Sequence, residues 1–155
     1  MKLLNKILGL LIAVLVGFMS IVCCWQVFTR FALNSPSKYT EEILRYALIW
    51  MTMLGVPYAY GQESHISINI FTKNFSEKGN LACRMMIELV VSFLSITVFI
   101  VGGIMVTSNS AGQISPALQM PMQLYYVGLP VSGALTLLYS VHRMAGFMKK
   151  MKEVA

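Results

Sequence analysis

Long apolar runs alternate with short polar stretches along most of this chain. The first run covers residues 7–28, and Gln26 is its only strongly polar side chain. A helix rises about 1.5 Å per residue, so a helix of this length crosses a hydrocarbon core about 30 Å thick. The pattern therefore predicts a transmembrane helix over residues 7–28.

Three later runs predict three more membrane helices, over residues 39–60, 85–107 and 124–145. The second run is apolar only from Tyr46 onward, so it reaches spanning length only if its charged start, from Tyr39, belongs to the helix. We therefore expect an all-α integral membrane protein with four transmembrane helices.

The segments between the runs differ in kind. Residues 108–123 are polar but carry no charge, and Pro116 and Pro121 interrupt them, which is typical of a loop. Before the third run, Phe71 and Phe75 stand among lysines at a roughly helical spacing. That pattern predicts a short amphipathic segment lying in the membrane interface between spans two and three.

The composition favours a membrane protein over a soluble one. Hydrophobic residues make up 57% of the chain and charged residues only 12%, against about 25% charged residues in soluble domains. No Asp, Glu, Lys or Arg occurs between Glu88 and Arg143. Because Lys2 and Lys6 precede the first run, a cleaved signal peptide is an alternative, but the apolar part is too long and no small-residue cleavage site follows. We assign residues 1–155 to one transmembrane domain.

Basic residues lie at the ends of the apolar runs and predict the orientation of the bundle. The positive-inside rule places the more basic side in the cytoplasm, so both termini are expected there. Nucleic-acid binding is an alternative explanation of the net charge of +6. The basic residues form no stripe interleaved with aromatic residues, however, so we expect no such partner. The predicted inner side holds Lys2, Lys6, Lys73, Lys78, Arg84, Arg143, Lys149, Lys150 and Lys152, and the outer side holds Arg30, Lys38 and Arg45.

Ionisable residues within a predicted span are candidate functional residues, because burying one in lipid costs at least about 2.5 kcal/mol. Glu41 and Arg45 share a helical face, and Glu42 can reach Arg45 at i+3. One arginine does not neutralise two carboxylates, so negative charge is left over at this helix start. Three roles stay open: docking of a second chain, binding of a proton or cation, and a satisfied helix cap at headgroup depth.

A second polar stripe follows the third predicted helix. Arg84, Glu88, Ser92 and Ser95 fall on one face, together with Gly102. Small and hydroxyl residues mediate helix contacts in lipid. We therefore expect an internal bundle seam, with an Arg84–Glu88 pair near the cytoplasmic surface. A proton pathway is the alternative, but the span has no ionisable residue deeper than Glu88.

The remaining reactive side chains form no recognisable site. Cys23, Cys24 and Cys83 follow no metal-ligand spacing, and His65 and His142 lie at predicted span ends instead of facing each other as haem ligands. The sequence shows no nucleophile–base pair, phosphate loop or carboxylate dyad. We expect no enzymatic activity, no metal and no cofactor.

One set of residues together forms a recognisable pattern. These residues are Arg30-Phe31, Asn34, Glu41-Glu42-Ile43-Leu44-Arg45-Tyr46, Trp50, Gly55 and His65-Ile66, followed by the predicted amphipathic segment. The pattern resembles the small membrane subunit of tripartite ATP-independent periplasmic (TRAP) transporters, the DctQ-like family. Length, four predicted spans and inside termini also match, so the resemblance covers essentially the whole chain.

The resemblance implies a function without a substrate site in this chain. In such systems a soluble periplasmic protein captures an organic acid and delivers it to a large membrane subunit, which carries the substrate and sodium sites and moves like an elevator. The small subunit pairs with the static part of the large one as a heterodimer in the bacterial inner membrane. The resemblance implies partner-docking or fold-defining roles for Arg30, Asn34, Glu41, Glu42, Arg45, Tyr46 and Trp50.

The likeness extends to the sialic-acid branch of the family, although no single residue establishes that substrate. The chain departs from the family pattern at Tyr39, where tryptophan is frequent, and at Gln62 and Glu63, where basic residues are frequent. Two alternatives stay open, an autonomous small four-span transporter and a membrane anchor subunit of another complex.

Overall fold

The described part of the chain, residues 1–34, 37–62 and 77–154 of a computed structural model, is helical throughout except for its loops and one isolated β-bridge. The predicted amphipathic segment between spans two and three falls largely outside these residues. The helices are α1 (Lys2–Phe31), α2 (Lys38–Gln62), α3 (Glu77–Leu94), a π-helical segment (Ser95–Gly102), α4 (Gly103–Asn109), α5 (Gln123–Tyr126) and α6 (Gly128–Val154).

Three helical stretches in the described residues are long and apolar enough to cross a membrane. They are Lys2–Phe31, Cys83–Asn109 and Gln123–Met148. The second of these runs without a break through α3, the π-helical segment and α4. Helix α2 has 25 residues but is not among the three. The all-helical fold is thus confirmed, while the fourth span and the orientation of the termini stay predictions.

Helices α1 and α2 pack as an antiparallel pair. A Cβ atom added at Gly9, near the start of α1, would lie 2.9 Å from the ring of Tyr58, near the end of α2. A Cβ atom at Gly61 would lie 2.7 Å from the side-chain oxygen of Asn5. Glycine at both positions therefore lets the beginning of α1 lie directly against the end of α2.

Helix α6 is the centre of the bundle, because it contacts α2, α3 and the π-helical segment. Its closest approach is at Gly133, where a Cβ atom would lie 2.6 Å from the Cβ atom of Phe99 and 3.2 Å from the carbonyl oxygen of Ser95. Only a residue without a side chain fits there. The backbone of the π-helical segment therefore lies directly against the backbone of α6 at Gly133.

The interior is polar and the surface is apolar, the reverse of a soluble protein. Ser115, Ser132 and Ser140 are fully buried. Large apolar residues on α1 and α3, such as Leu10 and Phe93, are exposed. Small hydroxyl residues inside and large apolar residues outside are what helix packing in lipid requires.

Candidate functional site

The charged start of α2 presents one exposed ion pair. Arg45 Nη2 lies 3.0 Å from Glu41 Oε1, one helical turn away, and the two side chains are 64% and 62% exposed. An exposed pair of this kind adds little to stability, at most about 0.5 kcal/mol. Its two charges therefore remain accessible to other molecules.

Glu42 points to a different partner, the loop between α4 and α5. Its Oε2 atom accepts hydrogen bonds from the backbone N–H groups of Ala117, at 3.0 Å, and Leu118, at 2.7 Å. The ion pair of Arg45 among the described residues is with Glu41, so the i+3 pair considered for Glu42 is not formed. Glu41 therefore pairs with Arg45 at the surface, whereas Glu42 binds the backbone of the loop.

The loop held by Glu42 is itself a folded turn. Ser115 N–H donates to the carbonyl of Met120 at 2.9 Å, and Met122 N–H donates to the carbonyl of Gln113 at 2.9 Å. Gly112 has a φ of +82° and Gln119 a φ of 55°, left-handed conformations that let the chain reverse over few residues. The sequence predicted a loop here but did not predict the hydrogen bonds to Glu42 that hold it.

Aromatic residues of α2 join the same region to α5. The indole nitrogen of Trp50 donates a hydrogen bond to the backbone carbonyl of Leu124 at 3.1 Å. The rings of Tyr46 and Tyr125 meet edge to face with centroids 4.4 Å apart. The hydroxyl of Tyr46 is withdrawn from solvent and has no hydrogen-bond partner in the described residues. Trp50 and Tyr46 thus pack within this chain.

Arg30 and Asn34 lie at the end of α1. Arg30 is exposed in the last turn of the helix. Asn34, three residues beyond the helix, has a φ of 48°, and asparagine tolerates this left-handed conformation better than most residues. Of the two, Asn34 shapes the chain path after α1 and Arg30 adds a surface charge.

A second polar cluster lies at the opposite end of the bundle, around Glu88. This residue of α3 is only 5% exposed. Its carboxylate accepts hydrogen bonds from the hydroxyl of Ser140, at 2.6 Å, and from the hydroxyl of Tyr60. Arg143 Nη1 lies 3.5 Å from Glu88 Oε1 and completes the pairing of the buried charge.

Arg143 also holds the end of α2. It donates to the backbone carbonyl of Tyr60, and its guanidinium carbon lies 4.3 Å from the centroid of the Tyr60 ring. Because Tyr60 belongs to α2, Glu88 to α3 and Arg143 to α6, the cluster ties three helices together. We call Tyr60, Glu88, Ser140 and Arg143 the inner clamp.

The predicted polar stripe meets α6 at Glu88, Ser92 and Ser95, of which Ser95 lies in the π-helical segment. Ser92 Oγ lies 2.9 Å from Ser140 Oγ, and Ser95 is 2% exposed beside Gly133. Arg84 is half-buried one turn before Glu88, and the ion pair found for Glu88 is with Arg143 rather than with Arg84. Sequence reasoning missed this pairing because 55 positions separate Glu88 from Arg143.

Comparison with known proteins places the chain in a family. Residues 19–150 match the family model described as tripartite ATP-independent periplasmic transporters, DctQ component. This chain belongs to the DctQ family. The chain is therefore a transporter component and not an enzyme. Within the described residues, no group of three or more His, Cys, Asp or Glu side chains is placed to hold a metal ion.

Several curated proteins are similar to this DctQ-family chain. The sialic acid TRAP transporter small permease protein SiaQ of Vibrio cholerae is 28% identical over 148 residues, which cover 96% of this chain and 85% of that protein. The ectoine TRAP transporter small permease protein TeaB of Halomonas elongata is 28% identical, over 86% of this chain and 70% of that protein.

A third relative has a different chain length. The isethionate TRAP transporter permease protein DctMQ of Oleidesulfovibrio alaskensis is 28% identical over 113 residues, which cover 72% of this chain but only 18% of that protein. In that relative, a segment similar to this chain is part of a much longer permease polypeptide.

Proposed function

We propose that this chain is the small permease subunit of a sodium-coupled, binding-protein-dependent TRAP transporter for an organic acid. It scaffolds and anchors the large transport subunit in the bacterial inner membrane and binds no substrate itself. The observation that carries the proposal is the match of residues 19–150 to the DctQ component model. The closed inner clamp supports a structural role for the buried charge. The buried carboxylate of Glu88 is occupied by Ser140, Tyr60 and Arg143 of the same chain. The clamp therefore holds helices together and leaves this carboxylate no free site for a solute.

The bundle in the proposal has four spans and both termini in the cytoplasm. Support comes from the packing of α2, which lies antiparallel to α1 and contacts it near both Gly9 and Asn5. At about 1.5 Å per residue, the 25 residues of α2 extend roughly 37 Å. A helix of that length beside a membrane-spanning helix crosses the same hydrocarbon layer. The Lys and Arg distribution sets the direction.

The structure supports a division of the candidate residues into two sets. Arg30, Glu41 and Arg45 carry exposed charges at the outer end and form the proposed docking set for the large subunit. The fold-defining set is occupied within the chain and consists of Asn34, Glu42, Tyr46 and Trp50. The proposed bundle seam comprises Arg84, Glu88, Ser92 and Ser95.

The proposed partners are the large TRAP membrane subunit, in a heterodimer, and transiently a periplasmic substrate-binding protein. A segment like this chain within the longer DctMQ permease of Oleidesulfovibrio alaskensis supports close association with a larger membrane part. Sialic acid (N-acetylneuraminate) is the first substrate to test, because SiaQ of Vibrio cholerae is similar over most of its length.

Co-purification tests the proposal. The tagged chain is co-expressed with its large subunit, extracted in mild detergent and captured, and the captured pair is reconstituted with the binding protein for uptake of labelled sialic acid. We expect the large subunit to be captured in about equal amount and uptake to require a sodium gradient. Arg45→Glu should lower capture, whereas Lys6→Glu, an exposed charge at the opposite end, should not. A large subunit that is stable and transports without this chain would refute the scaffold role, as would solute flux through the purified chain alone.

A further inference from the structure

Two concave surfaces meet at the Glu41–Arg45 pair. The first is a cleft of about 620 Å³ lined by charged and aromatic side chains. It lies between the start of α2 on one side and the 108–123 loop and α5 on the other, and its lining includes Lys38, Tyr39, Arg45, Tyr125 and Tyr126. The second is an apolar groove of about 710 Å³ between α1 and α2. Both surfaces are lined by Glu41 and Arg45, so the ion pair lies between them. The lining of the groove includes Val16, Met19, Cys23, Leu44, Leu48 and Met51.

The cleft, with its charged and tyrosine side chains, has the chemistry of a headgroup site. Lys38 is exposed and makes no ion pair with any described residue, and Arg45 donates to Glu41 through a single guanidinium nitrogen. Lys38 and the remaining N–H groups of Arg45 are therefore available to contact a phosphate. Tyrosines are favoured at the depth of lipid headgroups, because one end of the ring is apolar and the other is wet.

The net charge of the cleft also narrows the choice of ligand. Lys38 and Arg45 oppose Glu41 and Glu42, so the lining carries two charges of each sign. Glu42 is engaged with the loop amides, but Glu41 keeps one carboxylate oxygen for a cation. A zwitterionic group with a phosphate and an ammonium matches this arrangement better than a simple anion.

The apolar groove continues from the ion pair along α1 and α2. It has aliphatic and sulfur-containing side chains along its walls, and the charged residues in the described part of its lining are Glu41 and Arg45. An acyl chain attached to a headgroup in the cleft would leave the cleft at this ion pair and enter the groove. A cleft with charged side chains that continues into an apolar groove fits an amphiphile, which has a polar headgroup and an apolar chain.

From this succession of surfaces we infer that the cleft and groove together bind one outer-leaflet phospholipid with a zwitterionic headgroup. Its phosphate contacts Lys38 and Arg45, its ammonium contacts Glu41, and one acyl chain lies in the groove beside Leu48. The inference rests on the proposed function, because it requires α2 to span the bilayer with its charged start at the outer surface. Glu41 and Arg45 also belong to the proposed docking set, so the lipid lies at the edge of the docking surface and stays bound in the complex with the large subunit.

Native mass spectrometry of the full chain tests the inference, both alone and in the complex with its large subunit. The delipidated protein is titrated with palmitoyl-oleoyl phosphatidylethanolamine and, separately, with palmitoyl-oleoyl glycerol, which has the same acyl chains but no phosphate. We expect a single tight adduct with the phospholipid and about fivefold weaker binding of the glycerol, since one headgroup charge contact is worth roughly 1 kcal/mol.

Three variants probe the two halves of the site. Lys38→Ala removes a phosphate contact, and Leu48→Trp fills the groove, so each should weaken phospholipid binding about fivefold or more. Leu94→Trp is the matched control, because Leu94 is 46% exposed on α3 and Leu48 is 49% exposed on α2. Size-exclusion profiles and helical content confirm that each variant is folded.

Several outcomes would overturn the inference. One is equal binding of the two lipids, and another is equal phospholipid binding by wild type, Lys38→Ala and Leu48→Trp. Loss of the adduct when the large subunit binds would show that the partner covers this surface instead. The proposed function has its own readout, because capture of the large subunit is scored in the same samples. A complex that forms without a specific lipid adduct refutes the lipid site and leaves the scaffold role standing.

Discussion

The carboxylate of Glu42 accepts a hydrogen bond of 2.7 Å from the backbone amide of Leu118, 76 positions further along the chain. The amide of Ala117 donates to the same oxygen. A helix start and a distant loop are thereby joined through one side chain. The acidic pair at residues 41–42 contains one carboxylate that holds the fold and one that faces outward.

Replacing Glu42 with Ala should release this loop. Two backbone N–H groups lose their acceptor, and amides that depend on them should exchange with solvent about tenfold faster. Hydrogen–deuterium exchange over residues 110–122 measures the change. Glu41→Ala is the control, because it removes only the exposed pair with Arg45 and should leave the loop protected. Equal exchange in both variants would contradict the anchoring role of Glu42.

Replacing Glu88 with Ala should strongly destabilise the bundle. The change leaves the guanidinium of Arg143 without its buried partner and removes the acceptor for Tyr60 and Ser140. Breaking a buried pair by removing one partner costs about 3 to 5 kcal/mol. Unfolding of the purified protein in mixed micelles with increasing SDS measures this loss.

Glu88→Gln is the matched control for the inner clamp. Its amide keeps one acceptor oxygen for the hydroxyls of Ser140 and Tyr60. It loses the charge and places an NH2 donor where the second carboxylate oxygen faced Arg143. We expect its stability to lie between those of wild type and Glu88→Ala. If Glu88→Ala unfolds at the same SDS fraction as wild type, the inner clamp does not stabilise this end of the bundle.

Replacing Gly133 with Ala should separate α6 from the π-helical segment. The new Cβ atom would lie 2.6 Å from that of Phe99, and overpacking of this kind costs about 1 to 3 kcal/mol. Gly17→Ala is the comparison, because no atom lies within 4 Å of its added Cβ atom and alanine favours a helix over glycine. Thermal unfolding in detergent should therefore rank Gly133→Ala below wild type and Gly17→Ala at or above it. The reverse order would show that the close approach is not required.

Replacing Asn34 should reveal the effect of its backbone conformation. At a φ of 48°, alanine pays a steric penalty of about 1 kcal/mol, whereas glycine is free to adopt this angle. We expect Asn34→Ala to lower the unfolding midpoint and Asn34→Gly to leave it nearly unchanged. A loss of equal size in both variants would instead point to a role for the asparagine side chain.

Much of the secondary structure follows from the sequence alone because it depends on local patterns. The apolar runs at residues 7–28, 85–107 and 124–145 each fall within a helix that is long and apolar enough to span a membrane. The loop at 108–123 has uncharged polar residues and two prolines, and it connects two helices in the structure. The weaker apolar character of the run at 39–60 left its span a prediction.

The partners of the charged residues could not be predicted in the same way. Spacing along one helix favours Glu41 with Arg45, and this pair forms because both residues lie one turn apart. The same reasoning favoured Arg84 for Glu88, but the buried charge is paired with Arg143 on another helix. No periodicity within α3 carries information about which helix will pack against it.

The sequence by itself determined that this is an all-helical membrane protein of the DctQ family with a charged, motif-bearing start to its second helix. Composition, run length and local spacing are sufficient for those conclusions. Only the tertiary structure decided that Glu42 fastens the 108–123 loop and that Glu88 joins α2, α3 and α6. The reason is physical, because a carboxylate inside the bundle binds whichever donors the packed helices and loops bring to it. In this chain those donors lie 28 to 76 positions away from Glu88 and Glu42.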